Sequence, residues 1–297
     1  MRNGALLRHG EYDAITPESA GWGFSGLRIV DGDCTFASGD DELIVLPLSG
    51  SAAVTIDGQR FELEGRESVF AGVTDFAYAP RDATVTIEGS GRYALTTARA
   101  DRRLEPRYVP AEAVPIELRG AGQASRQVNN FCSPEGFAAD RLIAVEVLTP
   151  GGNWSSYPPH KHDEDVPGVE TVLEEIYYFE VADGGFGYQR VYTSGPGREI
   201  DITAEVRSGD VIVMPHGYHG PSMAAPGYDL YYLNVMAGPG ERAWRFTDDP
   251  AHTWIRRTWA EQEPDPRLPL YARPDAERSS HNAGPDAPRR NTFGRHA

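Results

Sequence analysis

The feature that most constrains this fold is the repeated alternation of short apolar segments with turn residues. Residues 43–48, 52–56 and 59–63 are strand-like, and Asp57-Gly58 between the last two is a hairpin signal. Similar segments recur through most of the chain, and no long amphipathic helical pattern interrupts them. Chains of this kind bury their strands in barrels or sandwiches. The sequence therefore predicts an all-β fold.

The length of 297 residues allows two such barrels. A segment rich in Arg, Pro and Glu at 101–120 separates two strand-rich halves. We therefore place an N-terminal barrel at 1–115 and a C-terminal barrel at 116–260. From residue 261 onward, Pro, Arg, Asp and polar residues dominate, and this composition favours a flexible tail over 261–297.

Charge and hydropathy exclude two classes of partner. The formal net charge of −16 argues against nucleic acid, because phosphate binding needs a basic surface. No apolar run approaches the roughly 18 residues that a membrane helix requires. The two cysteines, Cys34 and Cys132, lie far apart in contexts that predict neither a disulfide framework nor a zinc knuckle. We therefore expect a cytoplasmic location.

Two histidines near the middle of the chain indicate a metal site. In an extended strand, His160 and His162 point to the same face, while Lys161, the only lysine in the chain, points to the other. A carboxylate from the next strand and a third imidazole would complete a set of three histidines and one glutamate. Such a set leaves coordination positions for water or substrate.

A second motif follows the histidine pair at a characteristic spacing. Gly209 begins a strand, and Pro215 and Gly217 form a turn that precedes His219. The order of these residues resembles the two conserved motifs of the cupin barrels. The likeness implies two double-stranded β-helix, or jelly-roll, barrels in one chain.

The carboxylate ligand has two candidates. Glu174 and Glu175 both precede the aromatic strand, and the insertion at 163–174 is longer than the short gap usual in cupins. In the first half of the chain, Glu42 stands before an apolar strand much as Glu175 does. That half has no histidine between His9 and His160, so the sequence predicts an N-terminal barrel without metal ligands.

A closer resemblance covers the chain from about Pro17 to Ile255. The matching blocks resemble the 5-deoxy-glucuronate isomerases of bacterial inositol breakdown. These blocks are Ala20-Gly21-Trp22, Arg119-Gly120, Arg126-Gln127-Val128, residues 153–163, residues 173–178, Gln189-Arg190-Val191-Tyr192, Gly217-Tyr218-His219 and residues 231–239.

The resemblance implies an aldose-ketose isomerase that converts 5-deoxy-D-glucuronate to 5-dehydro-2-deoxy-D-gluconate in myo-inositol catabolism. It implies one divalent metal ion per chain, held by His160, His162, Glu175 and His219. Zinc, manganese and iron all accept these ligands. A divalent cation in such a set can act as a Lewis acid toward carbonyl and hydroxyl oxygens.

The substrate's carboxylate calls for a planar, permanently charged donor, and arginine has both properties. Arg190, mid-strand beside Gln189, and Arg126, on the first strand of the second barrel, are the candidate substrate ligands, with Gln189 as a third. Each arginine is equally compatible with a strand-face residue that pairs with a surface acid. For the proton transfer, Tyr232 and His216 are candidates, as is a metal-bound hydroxide.

Two other functions remain compatible with the sequence. A cupin dioxygenase uses the same ligands and consumes oxygen, whereas a non-catalytic bicupin that binds sugar acids shows affinity without turnover. A barrel without metal ligands, together with exposed β edges, also favours a homodimer or a higher homo-oligomer.

Overall fold

The computed structural model describes residues 4–271, and its secondary structure is almost entirely β, which confirms the predicted fold class. The strands of the first half are Ala5–Leu7 (β1), Ala14–Ile15 (β2), Ser25–Asp31 (β3), Cys34–Ala37 (β4), Asp41–Ile56 (β5), Gln59–Arg66 (β6), Phe76–Ala79 (β7), Thr84–Glu88 (β8), Arg92–Arg99 (β9) and Arg107–Val109 (β10).

The strands of the second half are Ile116–Arg119 (β11), Arg126–Cys132 (β12), Ile143–Thr149 (β13), Trp154–Ser155 (β14), His160–Lys161 (β15), Glu174–Val181 (β16), Gly187–Tyr192 (β17), Asp201–Val206 (β18), Val211–Met214 (β19), Tyr218–Ala224 (β20), Leu230–Ala237 (β21) and Thr247–Asp248 (β22). The helices are short. The α-helices are Pro17–Ala20 (α1) and Trp254–Thr258 (α2), and the 3₁₀ turns are Ala111–Ala113, Gly122–Ala124, Ala182–Gly184 and Trp259–Glu261.

The N-terminal barrel is built around the long strand β5. This strand pairs with β7 and β9 along its first half and with β6 and β8 along its second half. Strands β3, β2 and β10 extend the first group, and β4 pairs with β8. A single strand that serves two sheets closes the barrel at that corner.

The C-terminal barrel has a large and a small sheet. The large sheet has the order β1-β19-β16-β21-β13-β12-β11, and the small sheet has the order β18-β17-β20-β15-β22, with β14 beside β20. Strand β1 comes from the extreme N-terminal part of the described chain, yet it pairs with β19. The predicted domain 1–115 therefore includes a strand that belongs to the other barrel, a pairing that local sequence does not encode.

The large sheets of the two barrels pack against each other, so their central strands are buried on both faces. Along β16, Tyr177 and Phe179 lie in the core of the C-terminal barrel, while Ile176 and Tyr178 join a core shared by both barrels. Along β5, Leu43 lies inside the N-terminal barrel and Ile44 in the shared core. Burial on both faces explains why these strands are continuously apolar rather than alternating.

The described part of the predicted tail is packed against the C-terminal barrel. The backbone N–H of Asp265 donates to Ser125 Oγ at 2.9 Å, and the Tyr271 hydroxyl lies 2.7 Å from Asn129 Nδ2. A flexible tail therefore cannot begin at residue 261, and residues 272–297 lie outside the described residues. Within 4–271, no helix has the length and apolar character needed to cross a bilayer.

Candidate metal centre

Strand register brings three histidines together. His160 on β15 lies directly opposite His219 on β20, and their ring centroids are 4.5 Å apart. The His162 ring is 4.7 Å from that of His219 and 6.4 Å from that of His160. All three residues are at least nine-tenths buried. Residues separated by more than fifty positions in sequence thus form one imidazole cluster.

Strand alternation separates the two candidate glutamates. Glu175 lies on the same face of β16 as Tyr177, and its Oε2 is 3.0 Å from His162 Nε2 and 3.1 Å from His219 Nε2. Glu174 points to the opposite face and accepts backbone N–H groups of Gly23, Phe24 and Ser25 from the other barrel. Only Glu175 therefore reaches the histidines.

Backbone carbonyl groups fix the orientation of all three imidazoles. Nδ1 of His160 lies 3.3 Å from Pro158 O, Nδ1 of His162 lies 3.0 Å from Leu173 O, and Nδ1 of His219 lies 3.3 Å from Gly217 O. A carbonyl oxygen can only accept, so each Nδ1 carries a proton; Nε2 of His160 and Nε2 of His219 then keep a lone pair, whereas Nε2 of His162 shares a proton with Glu175 Oε2 at 3.0 Å. This tautomer is the one that metal-binding histidines adopt when a backbone carbonyl orients them.

Two of the three histidines have lowered pKa values, which favour the neutral form that binds a metal. Burial and the neighbouring imidazoles lower the pKa of His160 well below its ordinary value, and burial lowers the pKa of His219 to about 4. Burial also opposes the charged form of His162, but the hydrogen bond to Glu175 and the charge of this carboxylate raise its pKa overall. His160 and His219 are therefore neutral at pH 7, as metal ligation requires.

The residues fit a divalent metal on two further observations. Ligand atoms of His162, Glu175 and His219 all lie within 4.8 Å of one another, with the His160 ring against that of His219. The buried Nε2 of His219 has no hydrogen-bond partner among the described residues. An unpaired buried nitrogen costs free energy, and a bound cation would satisfy it.

A sharp turn delivers the third histidine. Gly217 has φ of +104°, and a Cβ at this position would lie 2.6 Å from Ile200 Cγ2 and 2.8 Å from Tyr192 O. Only glycine fits both the backbone conformation and the available space. The glycine of the Pro-x-Gly-x-His pattern is therefore required because any larger residue would clash at this turn.

A pocket opens beside the histidine cluster inside the C-terminal barrel. It is narrow, with a cavity volume of about 30 Å³. Its lining includes His160, Tyr177 and Tyr232 together with Arg119, Arg126, Arg256, Asn234, Trp244 and Phe246. Three guanidinium groups therefore line this wall of the pocket beside a neutral imidazole.

Arg126 is the arginine available to a ligand. It is 4% exposed, and its Nη1 donates to the carbonyl oxygens of Ala124 and Tyr157 at 3.0 and 3.3 Å. No carboxylate pairs with it among residues 4–271, whereas Arg119 pairs with Glu117 and Arg256 with Asp248. Burial lowers the pKa of Arg126 to about 10, so it keeps its charge at neutral pH. A buried guanidinium without a carboxylate partner is a ready site for an anion.

Several lining residues were not among the sequence-based candidates. The Nδ2 of Asn234 and the Nε1 of Trp244 are buried and have no acceptor among the described residues. Asn234 lies two positions after Tyr232 on the inner face of β21. Once Tyr232 is placed in the pocket, strand alternation alone predicts that Asn234 also faces it. Arg256 comes from the short helix α2 and Trp244 from an irregular segment after β21, and the sequence offers no comparable signal for either.

Tyr232 lies in the pocket as predicted. It is 2% exposed, and its ring stacks on Tyr177 with centroids 4.8 Å apart. Burial raises the pKa of Tyr232 to about 12, despite a hydrogen bond from Ser155 and the charge of Arg126 that lower it. The phenol therefore keeps its proton at neutral pH and can donate it.

Three other predicted residues lie outside the pocket. Arg190 is on the outer face of β17, where it pairs with Asp201 and lies over the Tyr192 ring, because alternation places its neighbours Gln189 and Val191 inward. The Gln189 side chain is fully buried and bonds to Ser222 and to the Arg190 carbonyl oxygen. His216 is half-buried in the turn before β20. We therefore do not carry these three residues forward as site residues.

A family model for the KduI/IolB family matches residues 1–255. The chain belongs to this family. A 5-deoxy-glucuronate isomerase from Geobacillus kaustophilus is 42% identical over 254 residues, which cover 81% of this chain and 89% of the relative. This likeness to a curated isomerase over most of both chains shows that the protein is an enzyme of the isomerase class.

Solved structures agree with the fold. An IolB-like protein from Salmonella typhimurium LT2 is 35% identical with a TM-score of 0.78, and the match covers 84% of this chain and 98% of that chain. A Bacillus subtilis oxalate decarboxylase, whose Mn(II) centres have been studied, has a TM-score of 0.51 at 14% identity, over 79% of this chain and 74% of that chain. The prediction of two cupin barrels is thereby confirmed.

Proposed function

We propose that this isomerase converts 5-deoxy-D-glucuronate to 5-dehydro-2-deoxy-D-gluconate, a step of inositol breakdown, and that it depends on one divalent metal ion. The observation that carries the proposal is the meeting of two groups in one pocket: the buried, unpaired Arg126 and the His160 edge of the imidazole cluster. A sugar acid has a carboxylate for the first and a carbonyl group for the second.

His160, His162, Glu175 and His219 would hold the metal. A divalent cation in this set supplies Lewis-acid stabilisation for oxygen atoms on which negative charge develops. The protein's part is to orient the three imidazoles through the carbonyl groups of Pro158, Leu173 and Gly217, so that their Nε2 atoms would face the metal once His162 releases the proton that it shares with Glu175. Zinc, manganese and iron remain open alternatives because these ligands suit all three.

Arg126 would bind the substrate carboxylate and so fix which end of the sugar acid faces the histidines. Its Nη1 is already oriented by two backbone carbonyl oxygens, so little side-chain entropy is lost when an anion binds. The 5-deoxy-glucuronate for which the relatives are named has a carboxylate at one end and an aldehyde at the other. Arg126 and the histidine cluster are complementary to these two ends.

The isomerisation moves one proton from C2 to C1 of the aldose and one from the C2 hydroxyl to the C1 oxygen. Tyr232 holds a proton at its phenolic oxygen across the neutral range, since its pKa is raised to about 12. We propose that it donates this proton to the oxygen that gains negative charge and recovers it from the neighbouring hydroxyl. The unpaired Asn234 Nδ2 would donate to a further hydroxyl oxygen of the sugar.

The test is to incubate metal-loaded protein with 5-deoxy-D-glucuronate without oxygen and to follow ketone formation by NMR. We expect turnover to the ketose. A requirement for oxygen would instead indicate a cupin dioxygenase, and binding without product would indicate a non-catalytic sugar-acid protein. Either result would refute the proposal.

Arg126→Met provides the matching binding test. We expect the KM to rise by roughly 100-fold, about 3 kcal/mol, because the substrate carboxylate loses a charged partner in a buried pocket. Arg190→Met is the control, since its outward side chain pairs with Asp201, and its KM should equal that of the wild type. Equal changes in KM in the two variants would contradict the proposal that Arg126 binds the substrate carboxylate.

A further inference from the structure

Lys161 is the only lysine of the chain, and the proposed chemistry does not use it. Its side chain is 7% exposed and points away from the histidine cluster, as strand alternation predicts. Its Nζ lies 2.9 Å from Asp163 Oδ1, 2.7 Å from Glu164 Oε2 and 2.9 Å from Glu170 Oε1. A single ammonium group therefore occupies a cage of three carboxylates.

One carboxylate of this cage reaches the turn that carries the third histidine. Oδ2 of Asp163 accepts the backbone N–H of Gly217 at 3.0 Å, and the carbonyl oxygen of Gly217 orients His219 Nδ1 at 3.3 Å. The same oxygen of Asp163 also accepts the Ser194 hydroxyl. Asp163 thus links the lysine to the backbone group that sets the His219 tautomer.

A second carboxylate fixes the loop that returns to His162. Oε1 of Glu170 accepts the backbone N–H groups of Asp163 and Glu164, each at 2.9 Å, as well as Lys161 Nζ. The loop then runs to Leu173, whose N–H donates to His162 O at 2.9 Å and whose carbonyl oxygen lies 3.0 Å from His162 Nδ1. The long insertion after the histidine pair is therefore closed around the lysine.

We propose that Lys161 is a positioning residue for the metal centre, which holds the His162 loop and the Gly217 turn in one arrangement through Asp163 and Glu170. This inference rests on the metal dependence proposed above.

The cage needs an internal cation. Arg198 pairs with the exposed Glu164 at 2.9 Å and reaches Asp163 only at 3.8 Å, so Lys161 is the cation that lies between Asp163 and Glu170. The side chains of these two carboxylates are only 2% exposed, and without Lys161 their repulsion would be poorly screened by water. The ammonium group is compact enough to contact three oxygens at once and is covalently attached to the strand that carries His160 and His162. By pairing with Asp163, Lys161 therefore also fixes the position of its own strand, β15, relative to the Gly217 turn.

The experiment compares metal affinity in the wild type and in Lys161→Met. The probe is Co²⁺, whose dissociation constant is measured by competition with a chelator and whose visible absorption spectrum reports the coordination geometry. We expect the dissociation constant to rise by roughly 10- to 100-fold, as for other residues that orient metal ligands, and the spectrum to change. Both readouts are independent of isomerase activity.

Arg66→Met is the matched control. Arg66 forms an equally buried ion pair with Glu146, at 2.8 Å, between the two barrels and away from the histidines. We expect this variant to be less stable than the wild type but to bind Co²⁺ with unchanged affinity and spectrum. Equal losses of affinity in the two variants would overturn the proposal, since they would reveal a general effect of destabilisation.

Glu170→Gln tests whether the cage positions the metal ligands if Lys161→Met does not fold. The amide keeps an oxygen for the backbone N–H groups but loses the charge that pairs with Lys161, and we expect the dissociation constant to rise by at least roughly threefold. Wild-type affinity and spectrum in a folded cage variant would overturn this inference alone. A wild-type protein that binds no divalent metal would overturn the proposed function itself.

Discussion

Strand β5 of the N-terminal barrel and strand β16 of the C-terminal barrel begin alike but differ at the first residue that faces the barrel interior. Glu42 on β5 accepts the backbone N–H groups of Asp140, Arg141 and Leu142, just as Glu174 on β16 accepts three backbone N–H groups of the N-terminal barrel. Both glutamates pair with an alanine of the adjacent strand, Ala98 and Ala237. Each barrel therefore inserts a carboxylate into the other at an equivalent point.

The next residue along each strand is where the barrels diverge. Leu43 follows Glu42 and lies in the apolar core of the N-terminal barrel, whereas Glu175 follows Glu174 and faces the histidines. The sequence comparison of Glu42 with Glu175 was therefore one residue out of register. Because neighbouring residues of a strand point to opposite faces, Glu174 forms an inter-barrel contact, while Glu175, one residue further along, is a candidate metal ligand.

Glu175→Leu gives the C-terminal barrel the residue of its partner and should have the largest effect. We expect no bound metal by elemental analysis and a loss of kcat/KM of at least roughly 1,000-fold, since several kcal/mol of oxyanion stabilisation disappear. The fold should persist, because a leucine replaces a buried charge. A metal-containing, active Glu175→Leu enzyme would refute the ligand assignment.

Leu43→Glu is the reverse exchange, and we expect it to lower the free energy of unfolding by about 3 kcal/mol. Leu43 is 1% exposed among apolar side chains, so the new carboxylate would be desolvated without a partner imidazole. Chemical denaturation measures the loss, and elemental analysis should show the same metal content as in the wild type. Additional bound metal would mean that the N-terminal barrel has ligands not recognised here.

Glu42→Gln and Glu174→Gln test the equivalence of the two inter-barrel contacts. Each amide places donor hydrogens against backbone N–H groups, and we expect each substitution to lower the free energy of unfolding by about 2 kcal/mol. Metal content should be unchanged in both variants. Loss of metal in Glu174→Gln would show that the distinction between Glu174 and Glu175 is not functional.

The smallest expected effect concerns residues 261–271, which contact the C-terminal barrel. Arg267 lowers the pKa of Asp265 below its usual range, and the Asn153 amide contributes to this shift. A carboxylate with a lowered pKa stabilises the folded state above its ordinary pKa of 3.8, and this contribution is lost as the pH falls through the lower folded value.

We therefore expect Asp265→Asn to be about 1 kcal/mol less stable than the wild type near pH 6, allowing for solvent screening of Arg267. The difference should shrink as the pH is lowered from about 5 to about 2. Urea denaturation across this range measures it. A difference that stays constant with pH would assign the effect to the Asn153 hydrogen bond rather than to the charge.

Strand alternation explains which of the predicted site residues the structure brings together. Alternation places His160 and His162 on one face and the Gly217 turn precedes His219, but the pairing of β15 with β20 is what brings the three together. Arg126 likewise shares the inner face of β12 with Val128. Arg190 was placed incorrectly by motif context alone, although its position between two inward residues already indicated an outward side chain.

Other features depend on contacts between distant segments. The pairing of Arg66 with Glu146, the return of β1 to the C-terminal barrel and the packing of Tyr271 beside Asn129 each join residues from separate parts of the chain. No local pattern marks such partners, because a buried arginine or tyrosine has the same sequence neighbours as an exposed one. The cytoplasmic location and the homo-oligomeric state stay predictions.

The sequence by itself determined the all-β class, the common face of His160 and His162 and the absence of histidines from 10 to 159, since these follow from residue type and a period of two. Only the tertiary structure brought His219 to that pair, separated Glu174 from Glu175, left Arg126 without an acid partner within residues 4–271 and enclosed Lys161 among three carboxylates. The reason is physical: a side chain's charge partner and exposure are set by whichever strand packs against it, and the chain fixes that neighbour only when it closes into two barrels.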